Sequence, residues 1–93
     1  MTPFLWRGDR EGHRLALLLD LLADGQRHTQ SALLEQVLQR QGGTRSRHRD
    51  RIFRTLVSAK AQGLVEHAAP GWRITPAGQT ARATIKAAQP AAA

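Results

Sequence analysis

The sequence predicts a mostly α-helical domain that carries one small β-hairpin, an α+β fold in the order helix, helix, helix, hairpin, helix. Three observations predict it. Apolar residues recur at helical spacing in three successive stretches, closed by Gly25, by Gly42-Gly43 and by Gly63. Two short β-type runs, residues 64–67 and 72–74, flank the turn sequence Ala68-Ala69-Pro70-Gly71. Thr75-Pro76 then has the form of a helix start, with Thr at the N-cap and Pro at the first helical position, where its missing N–H costs nothing.

Composition bounds the rest. The 93 residues, 41% of them apolar, suffice for one small domain with one modest core. With no cysteine, a disulfide framework or a cysteine-based metal site is impossible, which fits a reducing, cytoplasmic setting. The formal charge is +7, and 12 of the 14 basic residues are arginine, the side chain suited to bidentate contacts with phosphate and guanine. A coding bias toward arginine and alanine would raise the total as well, so the clustering of arginine carries more weight than its number. No run approaches the ~20 apolar residues of a membrane span. The N-terminus lacks a basic stretch ahead of a long apolar one, so no secretory signal is expected.

Residues 1–9 form an arm in which Phe4, Leu5 and Trp6 stand between Pro3 and Gly8 and are expected to pack on their own domain or on a partner protein. The domain proper is expected over residues 10–88. Its first helix spans residues 10–23, where Leu15, Leu18, Leu19 and Leu22 repeat at i, i+3, i+4 and i+7. Leu17 and Leu21 widen this face, so either the domain wraps the helix or it meets a second copy; a homodimer is expected. Residues 26–28 form a polar connector or one extended strand. Thr29 caps a second helix from residue 30 to 39 or 40, with Leu33, Leu34, Val37 and Leu38 inward. Gln41-Gly42-Gly43 turns the chain, and Thr44 or Ser46 can cap the third helix. Together the second and third helices make a helix-turn-helix.

The third helix, residues 46–62, organises the molecule. Ile52, Phe53, Leu56 and Val57, continued by the stem of Lys60, are expected inward, while Arg45, Arg47, Arg49, Arg51 and Arg54 crowd its first half against a single acid, Asp50. In the last helix, residues 76–88, Ile85 is the one large apolar side chain, with Ala77, Ala81 and Ala88 around it. Residues 89–93 read as a disordered tail.

Gly63-Leu64-Val65 after a long third helix, followed by Trp72-Arg73-Ile74-Thr75-Pro76-Ala77-Gly78, resembles the wing of the winged helix-turn-helix superfamily. The Trp-x-Ile-Thr-Pro-x-Gly piece is similar to the wing-to-last-helix junction of winged-helix repressors of the MarR and PadR kind. It is similar, too, to the N-terminal winged domain of Mrr-type restriction proteins. Asp24-Gly25 with His28-Thr29 matches the usual junction of the first two helices. The resemblance covers residues 13–86 and implies that the third helix enters the major groove of double-stranded DNA. The chain is too short for the long dimerisation helices of MarR relatives or for a nuclease domain.

With residues 52, 53, 56 and 57 inward, Arg47, Asp50, Arg51, Arg54, Thr55 and Ser58 are expected to face out toward DNA. Arg49 lies nearer the core and is expected in a structural salt bridge, and Asp50 is expected to orient a neighbouring arginine. Arg45 and Ser46 at the helix start, and Arg27 and Thr29 at the start of the second helix, are candidate phosphate contacts, because free N–H groups and the helix dipole favour an anion there. Arg73 is the remaining candidate, since the tip of the hairpin carries no charge. Trp72 is expected to pack in the core.

An enzyme is not expected. His13, His28, His48 and His67 are scattered, with no metal-ligand spacing, and no cofactor is implied. Asp9/Glu11 and Asp20/Asp24 read as helix-start charge and an exposed helix face. Gly42-Gly43 lacks the Lys-Ser/Thr of a phosphate loop. The expected function is sequence-specific DNA binding by a small transcriptional regulator. The alternatives are a winged-helix protein–protein interaction module and a DNA-associated accessory factor, of phage or DNA-repair type, that binds without sequence preference.

Overall fold

A computed structural model of the chain describes Trp6 and residues 8–88. The elements come in the expected order: α1 (Arg10–Leu21), α2 (Gln30–Gln41), α3 (Arg45–Ala61), β1 (Val65–Ala68), β2 (Gly71–Ile74) and α4 (Pro76–Ala88). The fold is therefore mostly helical with one two-stranded antiparallel hairpin. No described helix is long and apolar enough to cross a membrane. Phe4, Leu5 and residues 89–93 lie outside the described residues.

Helix α1 packs against each of the other three helices. The Asp9 carboxylate accepts a hydrogen bond from the Gly12 N–H at 2.8 Å and so starts the helix. Leu18, Leu19, Leu21 and Leu22 are buried. The wide leucine surface is thus occupied within the chain: Leu21 lies in the core and Leu17 is half-buried against it. Arg82 Nε donates to Asp20 Oδ1 at 2.7 Å and ties α4 to the outer side of α1.

Helix α2 starts where Thr29 Oγ1 accepts from the Ala32 N–H at 3.1 Å. It contributes Leu33, Leu34 and Val37 to the core, with Leu38 packed at the edge.

The phase of α3 differs from the expected one. Its buried residues are Ile52, Thr55, Leu56 and Ala59, an i, i+3, i+4, i+7 set. Phe53 and Val57 are instead 49% and 45% exposed. Thr55 and Ala59 are small, so the helix comes close to its neighbours along that line and the larger side chains are left on the flank. The Thr55 hydroxyl is satisfied inside its own helix, donating to the Arg51 carbonyl at 2.9 Å.

Strands β1 and β2 pair with Val65 opposite Ile74, Glu66 opposite Arg73, His67 opposite Trp72 and Ala68 opposite Gly71. The connector after α1 joins them. The N–H groups of His28 and Trp72 each donate to the other's carbonyl at 2.8 Å, a one-residue third strand. Gly71 makes that approach possible, because a Cβ there would stand 2.2 Å from the His28 carbonyl oxygen. Trp72 is buried beside it, as expected of a core side chain.

At the start of α4 the Thr75 hydroxyl has two roles. It accepts from the Gly78 N–H at 3.0 Å and donates to the Gly63 carbonyl at 2.6 Å, so it caps α4 and fastens it to the end of α3. The inward face of α4 is Gly78, Ala81 and Ile85; Ala77 and Ala88, expected inward, are exposed. Ala77 and Ala88 stand in the first and last turns of α4, at its two ends, beyond the stretch from Gly78 to Ile85 that is packed.

Candidate nucleic-acid interface

Burial of Ile52 and Leu56 fixes the rotation of α3, each contributing about 1.5–3 kcal/mol if fully removed from water. The side chains on the opposite surface follow from helical geometry. Ser46, Arg47, Asp50, Arg51, Arg54 and Ser58 are all exposed. Arg47, Arg51 and Arg54 run along one strip, one turn apart. Among the described residues, no acid forms an ion pair with any of these three arginines. They stand as an unneutralised row of cations on a helix that cannot rotate.

The rest of the expected set divides differently. Thr55 is 9% exposed and belongs to the core, so it is withdrawn from the outward surface. The cause is the shift in helix phase: with 52, 56 and 59 inward, position 55 falls between them. Arg49 is exposed and Asp50 faces solvent, and neither forms an ion pair among the described residues, so the expected salt bridge and the expected orienting contact are absent there.

Arg45 pairs with Glu35 of α2 across the turn. Both side chains are largely exposed, so the pair contributes at most about 1 kcal/mol and is available for exchange with another anion. Thr44 occupies the N-cap of α3 without a side-chain hydrogen bond to it. Ser46 lies inside the first turn. The turn is held instead by His48, whose Nε2 lies 2.7 Å from the Gly42 carbonyl oxygen. Sequence reasoning missed that contact, for which a histidine six residues after a glycine gives no signal.

Arg27 and Arg73, expected as phosphate contacts, converge on one carboxylate. Both pair with Glu66 on β1, Arg27 at 3.5 Å, and Arg27 also donates to the Gly71 carbonyl at 3.5 Å. They tie the connector to the hairpin. Thr29 is committed to the cap of α2.

The tertiary structure adds two arginines to the strip. Arg10 and Arg14 on α1 line the same cleft as Arg51 and Arg54 on α3, a space of about 400 Å³. Burial first, and the neighbouring charge of Arg51 next, lower the pKa of Arg14; Glu11 opposes the shift. Arg10 and Arg14 stand four residues apart in sequence, which places them on one face of α1. That this face meets α3 is not written in the spacing.

Trp6 packs on its own helix: its indole N–H donates to the Gly12 carbonyl at 2.9 Å, and its ring meets His13 edge-on at 5.2 Å. Comparison with known proteins yields no match: no family model, curated protein or solved structure matches this chain.

Proposed function

We propose that this chain is a small winged-helix protein that binds double-stranded DNA, with α3 as the helix that enters the major groove and the β1–β2 hairpin as the wing. The function that follows is transcriptional regulation. One observation carries the reading: Arg47, Arg51 and Arg54 form an exposed, unneutralised strip on a helix locked in rotation by Ile52, Leu56 and Ala59. Groove reading requires that geometry, because guanidinium groups held at a constant angle can meet phosphates and guanine edges in register. Ser46, Asp50 and Ser58 on the same surface add short polar groups. The pairing of His28 with the hairpin supports the wing, and the Thr75–Gly63 and Thr75–Gly78 bonds give the Trp-x-Ile-Thr-Pro-x-Gly junction a structural purpose. The wing is a weak contact in this reading, since Arg73 is engaged with Glu66.

The experiment is fluorescence anisotropy with a random-sequence duplex over a salt titration. Wild type should show affinity falling steeply with salt. The Arg47/Arg51/Arg54→Ala triple variant should show a slope shallower by up to about 2.7, from roughly 0.9 for each phosphate that is no longer neutralised. A folded wild type that binds no duplex at low salt would end the DNA reading. Site selection then tests sequence preference, which a non-specific accessory factor would lack.

A second reading is favoured by Phe53 and Val57, whose exposed side chains lie one turn apart on α3. In a DNA complex they would meet thymine methyl groups. In a protein-interaction module they would be the anchor of the interface. Phe53→Ser separates the two. Weakening confined to particular duplex sequences supports the groove; unchanged duplex binding leaves the pair free for a protein.

A further inference from the structure

The cleft between the start of α1 and the middle of α3 adjoins the outward surface of α3 and shares Arg51 and Arg54 with it. Arg10 and Arg14 line it from one side, Arg51 and Arg54 from the other, and Leu15 and the Trp6 ring give it an apolar part. Among the described residues, Glu11 is the one carboxylate that lines it. Its volume of about 400 Å³ lies within the range of small-molecule sites.

Four guanidinium groups around one concavity repel one another, and a single acid offsets only part of that charge. Among the described residues, none of the four forms an ion pair with an acid. Burial first, and then the nearby charges of Arg51 and Arg10, lower the pKa of Arg14. A bound anion would remove the repulsion and receive bidentate bonds from the planar forks. A phosphodiester carries one negative charge, whereas a phosphomonoester carries close to two at neutral pH and matches the cluster better. The held indole of Trp6 and the Leu15 side chain offer a surface to the body of such a molecule.

We propose that this cleft binds a phosphomonoester dianion borne on a small molecule of about mononucleotide size, with Arg10, Arg14, Arg51 and Arg54 holding the phosphate and Trp6 and Leu15 facing the ligand's body. The site shares Arg51 and Arg54 with the proposed duplex surface, and Arg10 and Arg14 on one side and Arg47 on the other tell the two apart.

The test is isothermal titration calorimetry of the full chain with adenosine 5′-monophosphate, ribose 5-phosphate and adenosine. The monophosphate should saturate one site, and adenosine should give no binding. Ribose 5-phosphate should bind as well, more weakly, and the ratio reports what the ring surface adds. Arg10→Gln and Arg14→Gln should each weaken the monophosphate about tenfold or more, from the removal of a charged hydrogen bond. Arg47→Gln, outside the cleft, should leave it unchanged. Arg10 is exposed on the first turn, so its variant keeps the test valid if Arg14→Gln disturbs folding. No saturable binding of either phosphate would overturn the proposal, and so would equal weakening by Arg47→Gln. Duplex binding without monophosphate binding would leave the DNA reading intact and remove this site; the converse would do the reverse.

Discussion

Gly78 of α4 lies directly against the backbone of Leu64: a Cβ at position 78 would stand 2.1 Å from the Leu64 carbonyl oxygen and 2.6 Å from Ile74 Cγ1. The Leu64 oxygen also accepts from the Thr75 N–H at 3.0 Å, so it cannot move away without breaking that bond. This contact sets how closely α4 approaches the hairpin.

Gly78→Ala puts two effects in opposition. Alanine favours the helix by about 1 kcal/mol over glycine. The clash is with a backbone atom, and overpacking of that kind costs about 1–3 kcal/mol, or more where nothing can yield. The clash should win, and urea denaturation should show a net loss of stability. A gain would mean that α4 stands farther from Leu64.

The rotation of α3 is open to a direct check. Leu56→Ala removes a fully buried side chain and should cost about 2–5 kcal/mol. Phe53→Ser, at a side chain half in solvent, should cost no more than about 1 kcal/mol. Thr55→Glu would bury a charge and should prevent native folding. Melting curves should place Phe53→Ser nearest wild type, Leu56→Ala below it and Thr55→Glu without a native transition. If Phe53→Ser and Leu56→Ala destabilised equally, Phe53 would belong to the core after all.

Glu66 holds Arg27 and Arg73 together. These are partly exposed pairs, so Glu66→Gln should change stability by no more than about 1 kcal/mol. It should release both guanidinium groups near the wing. In the DNA reading, the salt dependence of duplex binding should then steepen by up to about 1.8 and affinity at low salt should rise. An unchanged slope would show that the hairpin does not approach the duplex.

Asp24 gives the fold an acid dependence. Its carboxylate accepts from the Gln26 N–H at 2.9 Å and lies 3.0 Å from His28 Nε2, and the backbone bond first, then the histidine, lowers its pKa below the usual carboxylate range. A depressed folded-state pKa means stability that is present above the unfolded value, about 3.9, and is lost as pH falls through the folded one. Asp24→Asn keeps a neutral acceptor in the same place. It should be less stable than wild type at pH 7, and the gap should close as pH falls through the folded value. A gap that stayed constant with pH would show that the charge of Asp24 does not contribute.

Much of the fold is legible in the sequence because its signals are local. The leucine repeats of α1 and α2, the Thr29 cap and the Thr75-Pro76 start each depend on residues within a turn or two of one another. Together with the β-type runs at 64–67 and 72–74 and the apolar stripe of α3, they determine the element order, the hairpin and the three arginines at 47, 51 and 54 on a helix. The rotation of α3 is not legible in the same way. Side-chain size favours Phe53 and Val57 as the inward pair, whereas packing chose Thr55 and Ala59, which let the helix come closer. Only the tertiary structure could decide that, since it depends on the distance between helices. It also decided that Glu66 takes up Arg27 and Arg73, and that Arg10 and Arg14 come to stand opposite Arg51 and Arg54. Side chains distant in sequence share a charge environment only after the core has brought their helices together, and no periodicity within a single helix records its neighbour.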